Sequence, residues 1–202
     1  MSEPRHAPAT ARNREAIFAV LQRVLPSKGL LLELASGTGE HAAFMAPQLA
    51  ITWQPTDGDP AALSDIDAHA KANGANNIRT ALHLDVVNLR WPVAHADALF
   101  CCNMIHIAPW EAAEGLFAGA AAILPEGAPL ILYGPFRRHG EHTAPSNVQF
   151  EEWLKAKDAR FGVRDLDGEV TALAARNGFQ REEIVPMPAN NLTVVFRRIA
   201  SA

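Results

Sequence analysis

Cysteine is nearly absent. The 202-residue chain has two, Cys101 and Cys102, adjacent within the apolar run ALFCC. That excludes a disulfide framework and fits a cytosolic, hence cytoplasmic, setting. The pair reads as two buried, reduced thiols. Apolar runs of membrane-spanning length are also lacking, so no membrane partner is expected. No basic run occurs, and the net charge is −4. A nucleic-acid partner therefore gains no support from electrostatics. The stretch MSEPRHAPATARN is polar and has no apolar h-region, so no signal peptide is expected. Internal repeats and low-complexity segments are missing as well.

What is present is ordinary globular material, with 49% hydrophobic and 20% charged residues. The length suits one domain spanning 1–202. Ile17, Val20, Leu21, Val24 and Leu25 recur at helical spacing, which predicts a helix over 10–25 closed by Pro26. LLLELA (30–35), ITWQPT (51–56), IRTALHL (78–84), DALFCCN (97–103) and PLILYG (129–134) read as strands. Helical segments fall between them. Asp59-Pro60 marks one helix start, and Pro109 marks another. This alternation predicts a doubly wound, Rossmann-like α/β fold: a mostly parallel seven-stranded sheet with helices on both faces.

The last third differs. PFRRHGEHTAPSN (135–147) shows no periodicity and is long for a connection, so it reads as a substrate loop. A helical face at Phe150, Trp153 and Leu154 reads as core, and a helix near 167–177 is capped by Gly178. FQREEIVPM and LTVVFRR, joined at ANN (189–191), predict an antiparallel hairpin at the sheet edge.

ELASGTGEH (33–41) follows the first strand. Strand, glycine turn and helix make a nucleotide-binding corner, correctly placed at the carboxyl end of a strand. Gly37-x-Gly39-x-x-Ala42 also satisfies the dinucleotide pattern, with Asp57 at the expected distance for ribose. Glu33 separates the two cofactor classes. A carboxylate beneath the turn is unhelpful to a pyrophosphate. It suits a ligand with an ammonium and a sulfonium, namely S-adenosylmethionine. Asp57 ends the second strand, where a carboxylate can accept ribose hydroxyls. Asp85 ends the third, where one can accept the adenine amino group. An Asx turn at Asp57 and a cap at Asp85 are the competing readings.

Glu33-x-Ala35-x-Gly37-x-Gly39, with Asp57 and Asp85, resembles the class I S-adenosylmethionine-dependent methyltransferases. Their motif has glycine where this chain has Ala35. With ARN (11–13), WQPTD (53–57), YGPF (133–136), GEHTAPSN (140–147), GVRD (162–165) and MPANN (187–191), the chain resembles the methyltransferase-like family catalogued as domain of unknown function 938. The resemblance implies cofactor contacts at Glu33, Ala35, Gly37 and Gly39. It implies ribose contact at Asp57 and adenine contact at Asp85 and Val86. Asn103 is implied near the methionine part, and Arg12 and Asn13 close over that end from an N-terminal helix (1–26) on the cofactor side.

Methyl transfer is a displacement whose reactivity resides in the donor, so the enzyme supplies orientation and exclusion of water. A base is needed only if the acceptor must lose a proton. His106, after the fourth strand, is the base candidate; a hydrogen-bonded structural histidine is the other reading. Tyr133 ends the fifth strand, placed either to align a substrate or to be half-buried with its hydroxyl satisfied. Arg137 and His142 in the long loop, Asn147, Asn190 and Asn191 are the substrate candidates, with a solvated loop and a tight turn as alternatives. His139-x-Glu141-His142 lacks a helical frame and a fourth ligand, so no metal is expected there. The activity these residues support is methyl transfer to a small molecule. Two other readings stand beside it: an NAD(P)-dependent oxidoreductase, and a non-catalytic module that keeps a cofactor pocket.

Overall fold

The structure, a computed structural model, describes residues 5–200. Helix α1 (Pro8–Val24) begins with proline in its first turn and buries Ile17, Val20, Leu21 and Val24 along one stripe. Strand β1 (Leu30–Leu34) leads through the glycine loop into α2 (Glu40–Met45). Strand β2 (Thr52–Asp57) is followed by a short helical turn and α3 (Leu63–Ala72). Asp59 caps this entry by accepting the Ala61 amide at 2.9 Å. Then come β3 (Leu82–His83), β4 (Ala98–Cys102), α4 (Trp110–Ile123) and β5 (Pro129–Gly134).

The remainder holds a two-stranded ribbon, β6 (Arg137–Arg138) and β7 (Glu141–His142), then α5 (Pro145–Lys157). Helix α6 (Thr171–Arg176) follows a wide helical turn at Leu166–Val170. Strands β8 (Phe179–Met187) and β9 (Asn191–Arg198) complete the described chain.

Among the described residues seven strands form one sheet in the order β3-β2-β1-β4-β5-β9-β8. The first five are parallel, and β9 is antiparallel to β5 and β8. The expected mixed sheet with an edge hairpin is what forms. The central strands β1, β4 and β5 are buried on both faces, which explains their continuous apolar sequences. One core layer packs α4 and α6 against Leu32, Leu99, Leu130 and Phe196. The other packs α1 and α2 against Leu31, Trp53, Phe100 and Ile131. The chain crosses from one side of the sheet to the other between β1 and β4, so the switch-point crevice opens at their carboxyl ends.

Three expectations change. The third strand shrinks from 78–84 to two residues plus an isolated bridge between Trp53 and Ile78. Side chains take its backbone bonds instead: Gln54 Nε2 donates to the Thr80 carbonyl at 2.9 Å, and Asp67 accepts the Ala81 amide at 2.8 Å. The long loop is not structureless, because His139 and Gly140 take positive φ and fold it into the β6–β7 ribbon. The Phe150–Leu154 stripe divides. Leu154 is core, whereas Trp153 is half exposed and stacks on Phe150 at 5.7 Å. Of the thiols, Cys101 is buried and Cys102 partly buried. Burial pushes the Cys101 thiol up to about 12, so it stays protonated.

Candidate functional site

The glycine loop closes on itself and on the strand beside it. The Ser36 amide donates to the Thr56 carbonyl at 2.9 Å, and the Gly39 amide donates to the Ser36 carbonyl at 2.9 Å. The Gly37 amide donates to Asp57 Oδ2 at 2.8 Å. Gly39 has φ +80°, and a Cβ there would sit 2.7 Å from Ile66 Cα, so the close approach of loop and α3 requires glycine. Gly37, at φ +60°, faces open space; no atom lies within 4 Å of where its Cβ would be. Ala35 takes φ +53°, the left-handed conformation its usual glycine counterpart adopts without strain.

Glu33 is buried beneath this loop. Ser36 Oγ and Trp53 Nε1 donate to its Oε2 at 2.8 and 2.9 Å. Burial outweighs these bonds and raises its carboxyl to about 7, with the nearby Asp57 charge adding to the rise. Asp57 Oδ1 accepts the Asp59 amide at 2.9 Å, so the Asx turn is present and the same carboxylate also ties the two loops together. Asp85 is exposed and accepts the Val87 amide at 3.1 Å, an Asx turn again. Val86 turns its side chain into the core against α4.

Beside this corner, at the carboxyl ends of β4 and β5, lies a cavity of about 550 Å³. Its walls bring together Arg12 and Asn13 from α1, Asn103 after β4, Tyr133 from β5, Asn147 from α5, and Asn190 and Asn191 from the β8–β9 turn. These expected site residues come from segments far apart in sequence. Glu33, Ala35, Gly37, Gly39, Asp57, Asp85 and Val86 are not in its walls; the first five form the glycine corner next to it, and Asp85 and Val86 follow β3, on the far side of β2 from β1. The two parts are joined at Asn13, whose Oδ1 lies 2.9 Å from His41 Nε2 on α2. Burial lowers His41 to about 4, so the ring is neutral and its Nε2–H donates.

Three turn residues are held in strained left-handed backbone: Asn103, Ala189 and Asn190, at φ 61°, 57° and 58°. Asn147 Nδ2 donates to the Asn190 carbonyl at 3.1 Å and fastens the hairpin turn to α5. Tyr133 is almost fully buried, and burial raises its phenol, so it stays protonated at neutral pH.

His106 lies outside the cavity walls. It is fully buried, with its ring edge-on to Phe136 at 4.7 Å. Nδ1 accepts the Arg164 amide at 3.1 Å, which puts the ring proton on Nε2. Burial lowers the ring to about 3, with Arg164 adding to the shift. A neutral imidazole with Nδ1 engaged and Nε2 protonated has no lone pair for an acceptor proton. In this arrangement the ring is engaged with the Arg164 amide and Phe136 and does not reach the cavity wall.

Arg137 and His142 also lie outside the walls. They pair with each other across the β6–β7 ribbon, and Arg137 faces a separate acidic depression with Asp165 and Asp167. His142 Nε2 lies 2.7 Å from Glu151 Oε2, and His139 turns toward Asp167. Arg137 and His139 thus line the same depression, whereas His142 turns away to Glu151.

Ala9, Pro135, Ser146, Phe150, Pro188 and Ala189 in the walls, and His41 behind them, were not expected from the sequence. Phe150 carried a signal, since its helical stripe had a polar run on one flank. His41 sat inside the motif itself.

Solved structures share this fold at low sequence identity. The mitomycin 7-O-methyltransferase superposes with a TM-score of 0.80 at 15% identity, over 94% of this chain and 54% of that one. A methyltransferase in calicheamicin biosynthesis, solved with S-adenosylhomocysteine bound, gives 0.72 at 16% identity, over 92% and 54%. The protein complexed with the Haloferax volcanii Trm112 methyltransferase activator gives 0.75 at 14% identity, over 95% and 92%. The present chain thus spans about half the length of the first two. The fold is that of the class I S-adenosylmethionine-dependent methyltransferases. A family model described as "Protein of unknown function (DUF938)" matches residues 4–198, and the chain belongs to that family.

Proposed function

We propose that this protein is an S-adenosylmethionine-dependent methyltransferase acting on a small-molecule acceptor. One observation carries the reading: the glycine corner and a mainly apolar cavity with carboxamides in its walls meet at the switch point, joined through Asn13 and His41. The corner fits the donor. Open space lies over Gly37, and both bonds to the Glu33 carboxyl fall on Oε2, leaving Oε1 for a cationic group. Asp57 and Asp85 stand at the ends of the next two strands for ribose and adenine.

The dinucleotide alternative fits poorly. The Ser36, Gly37 and Gly39 amides already have protein acceptors, and Glu40 places a carboxylate in the first turn of α2. A pyrophosphate would meet these engaged loop amides and the Glu40 carboxylate at the helix start, where a negative charge opposes it.

Bound donor supplies an electrophilic methyl group on a sulfonium. The chain's residues orient and shield. The cavity is walled mainly by apolar surface from Phe150, Pro135 and Pro188, which excludes water, while the carboxamides and Arg12 align the acceptor. Among the described residues its walls contain no histidine or carboxylate side chain. That suits an acceptor already nucleophilic without proton removal. It also favours a second reading, a cofactor-binding module without catalysis.

Calorimetry with S-adenosylhomocysteine tests the first step. Binding in the micromolar range is expected; no heat at millimolar ligand rejects both readings. Turnover of labelled donor with metabolite extracts then separates enzyme from module.

A further inference from the structure

Outside this site, three side chains from separate elements converge near the start of the described chain. His6 precedes α1, Glu40 opens α2, and His69 lies on α3. Ligand atoms of the three all lie within 4.8 Å of one another. We propose that His6, Glu40 and His69 form a binding site for a divalent transition-metal ion of the zinc type. The ion would clasp the segment ahead of α1 onto α2 and α3.

The donor set selects the ion. Two imidazoles and one carboxylate suit zinc and its neighbours in the first transition row. Calcium and magnesium prefer oxygen ligands and would leave the imidazoles unused.

The surroundings are those of a prepared ligand set. Glu40 Oε2 accepts the Ala7 amide at 2.7 Å and Thr38 Oγ1 at 2.8 Å. Those two bonds fix the carboxylate and turn Oε1 toward His6, whose Nδ1 lies 3.0 Å away. The rings of His6 and His69 stand edge-on with centroids 5.1 Å apart. His69 Nε2 donates to the Arg5 carbonyl at 2.9 Å. Held carboxylates and carbonyl-oriented imidazoles are the outer-shell pattern that positions metal ligands. Bonds of 2.0–2.1 Å to a tetrahedral ion place ligand atoms about 3.4 Å apart, so the three must draw in modestly. The exposed His6 can supply that movement. A fourth position would face solvent.

The location gives the clasp a consequence. The segment it would fix leads directly into the turn of α1 that carries Arg12 and Asn13 to the cavity wall. Metal binding would thus hold that wall in place.

Calorimetric titration of zinc chloride into the tag-free, chelator-treated full chain tests the proposal. One ion per chain is expected, with a dissociation constant of about 1 μM or tighter and a rise in thermal midpoint. His69→Ala and Glu40→Gln should each weaken binding at least tenfold, while His139→Ala should leave it unchanged. Circular dichroism checks that each variant is folded; should Glu40→Gln unfold, His69→Ala decides. Absence of stoichiometric binding at about 100 μM zinc overturns the site. So does binding that survives His69→Ala, or that is lost in His139→Ala.

Discussion

Gly37 and Asp57 are joined across the carboxyl ends of neighbouring strands, the glycine amide donating to Asp57 Oδ2 at 2.8 Å. The carboxylate that would hold ribose therefore also sets the shape of the glycine loop. Asp57→Ala should weaken S-adenosylhomocysteine binding by at least ~1.5–3 kcal/mol, the range for hydrogen bonds to a charged group. Asp57→Asn, which keeps one acceptor for the Gly37 amide, should recover part of it. Calorimetry decides; an unchanged affinity in Asp57→Ala rejects the ribose assignment.

Ala35 holds a left-handed φ of +53°. Ala35→Gly relieves a cost of about 1–2 kcal/mol, partly offset by the greater freedom of glycine in the unfolded chain. The expected net gain is about 1 kcal/mol, a rise in melting temperature of roughly 2–4 °C for a chain of this size. A fall in melting temperature would show that the Ala35 side chain contributes packing that outweighs its backbone strain.

Burial raises the Glu33 carboxyl to about 7 in the folded protein, against an ordinary carboxyl value of 4.5. Between those values the native state holds a proton that the unfolded state has released. Stability therefore falls as pH rises through this window, by up to about 3 kcal/mol, and levels off above it. Glu33→Gln keeps an acceptor for Trp53 and Ser36 but cannot ionise. Urea midpoints at pH 5 and pH 7.5 should show the variant gaining on the parent at the higher pH. Parallel pH profiles for the two proteins would remove Glu33 from this role.

His106 runs the other way, because its folded value is depressed to about 3. The unfolded chain binds the proton first, so its contribution to stability is present above about 6.5 and is lost progressively on acidification below that. His106→Ala should cost about 2–4 kcal/mol, from the cavity and from the Arg164 amide left without its acceptor. S-adenosylhomocysteine affinity, measured on the folded variant, should be nearly unchanged. A selective loss of turnover with full stability would restore the base assignment.

Much of the sheet was legible because its signals are local. Buried parallel strands read as continuous apolar runs, and Asp59-Pro60 marked the entry to α3. The glycine loop announced itself through Gly37 and Gly39. What escaped depends on bonds between distant residues. Gln54 and Asp67 claim backbone groups that would otherwise have extended β3, and no local pattern records that. The ribbon at 137–142 rests on His139 in a positive-φ turn, an uncommon choice for that residue. His106 stands where a base would be expected, and only the Arg164 amide, 58 positions away, reveals that its lone pair is taken. The Asn residues at 190 and 191 looked like turn formers; they are that, and the turn is also a wall.

That wall has a consequence for how the molecule can be cut. Residues 9–13 and 188–191 line the same cavity, and α1 touches the Pro188–Asn190 turn, so almost the whole chain lies between these two parts of the site. A ligand held there bridges the two extremes of the fold and acts as a non-covalent lock on its largest loop. New termini placed at the exposed Gly74 turn would leave that lock intact. A chain stopped after β5 would lack the lining that Asn147, Phe150 and the 188–191 turn supply.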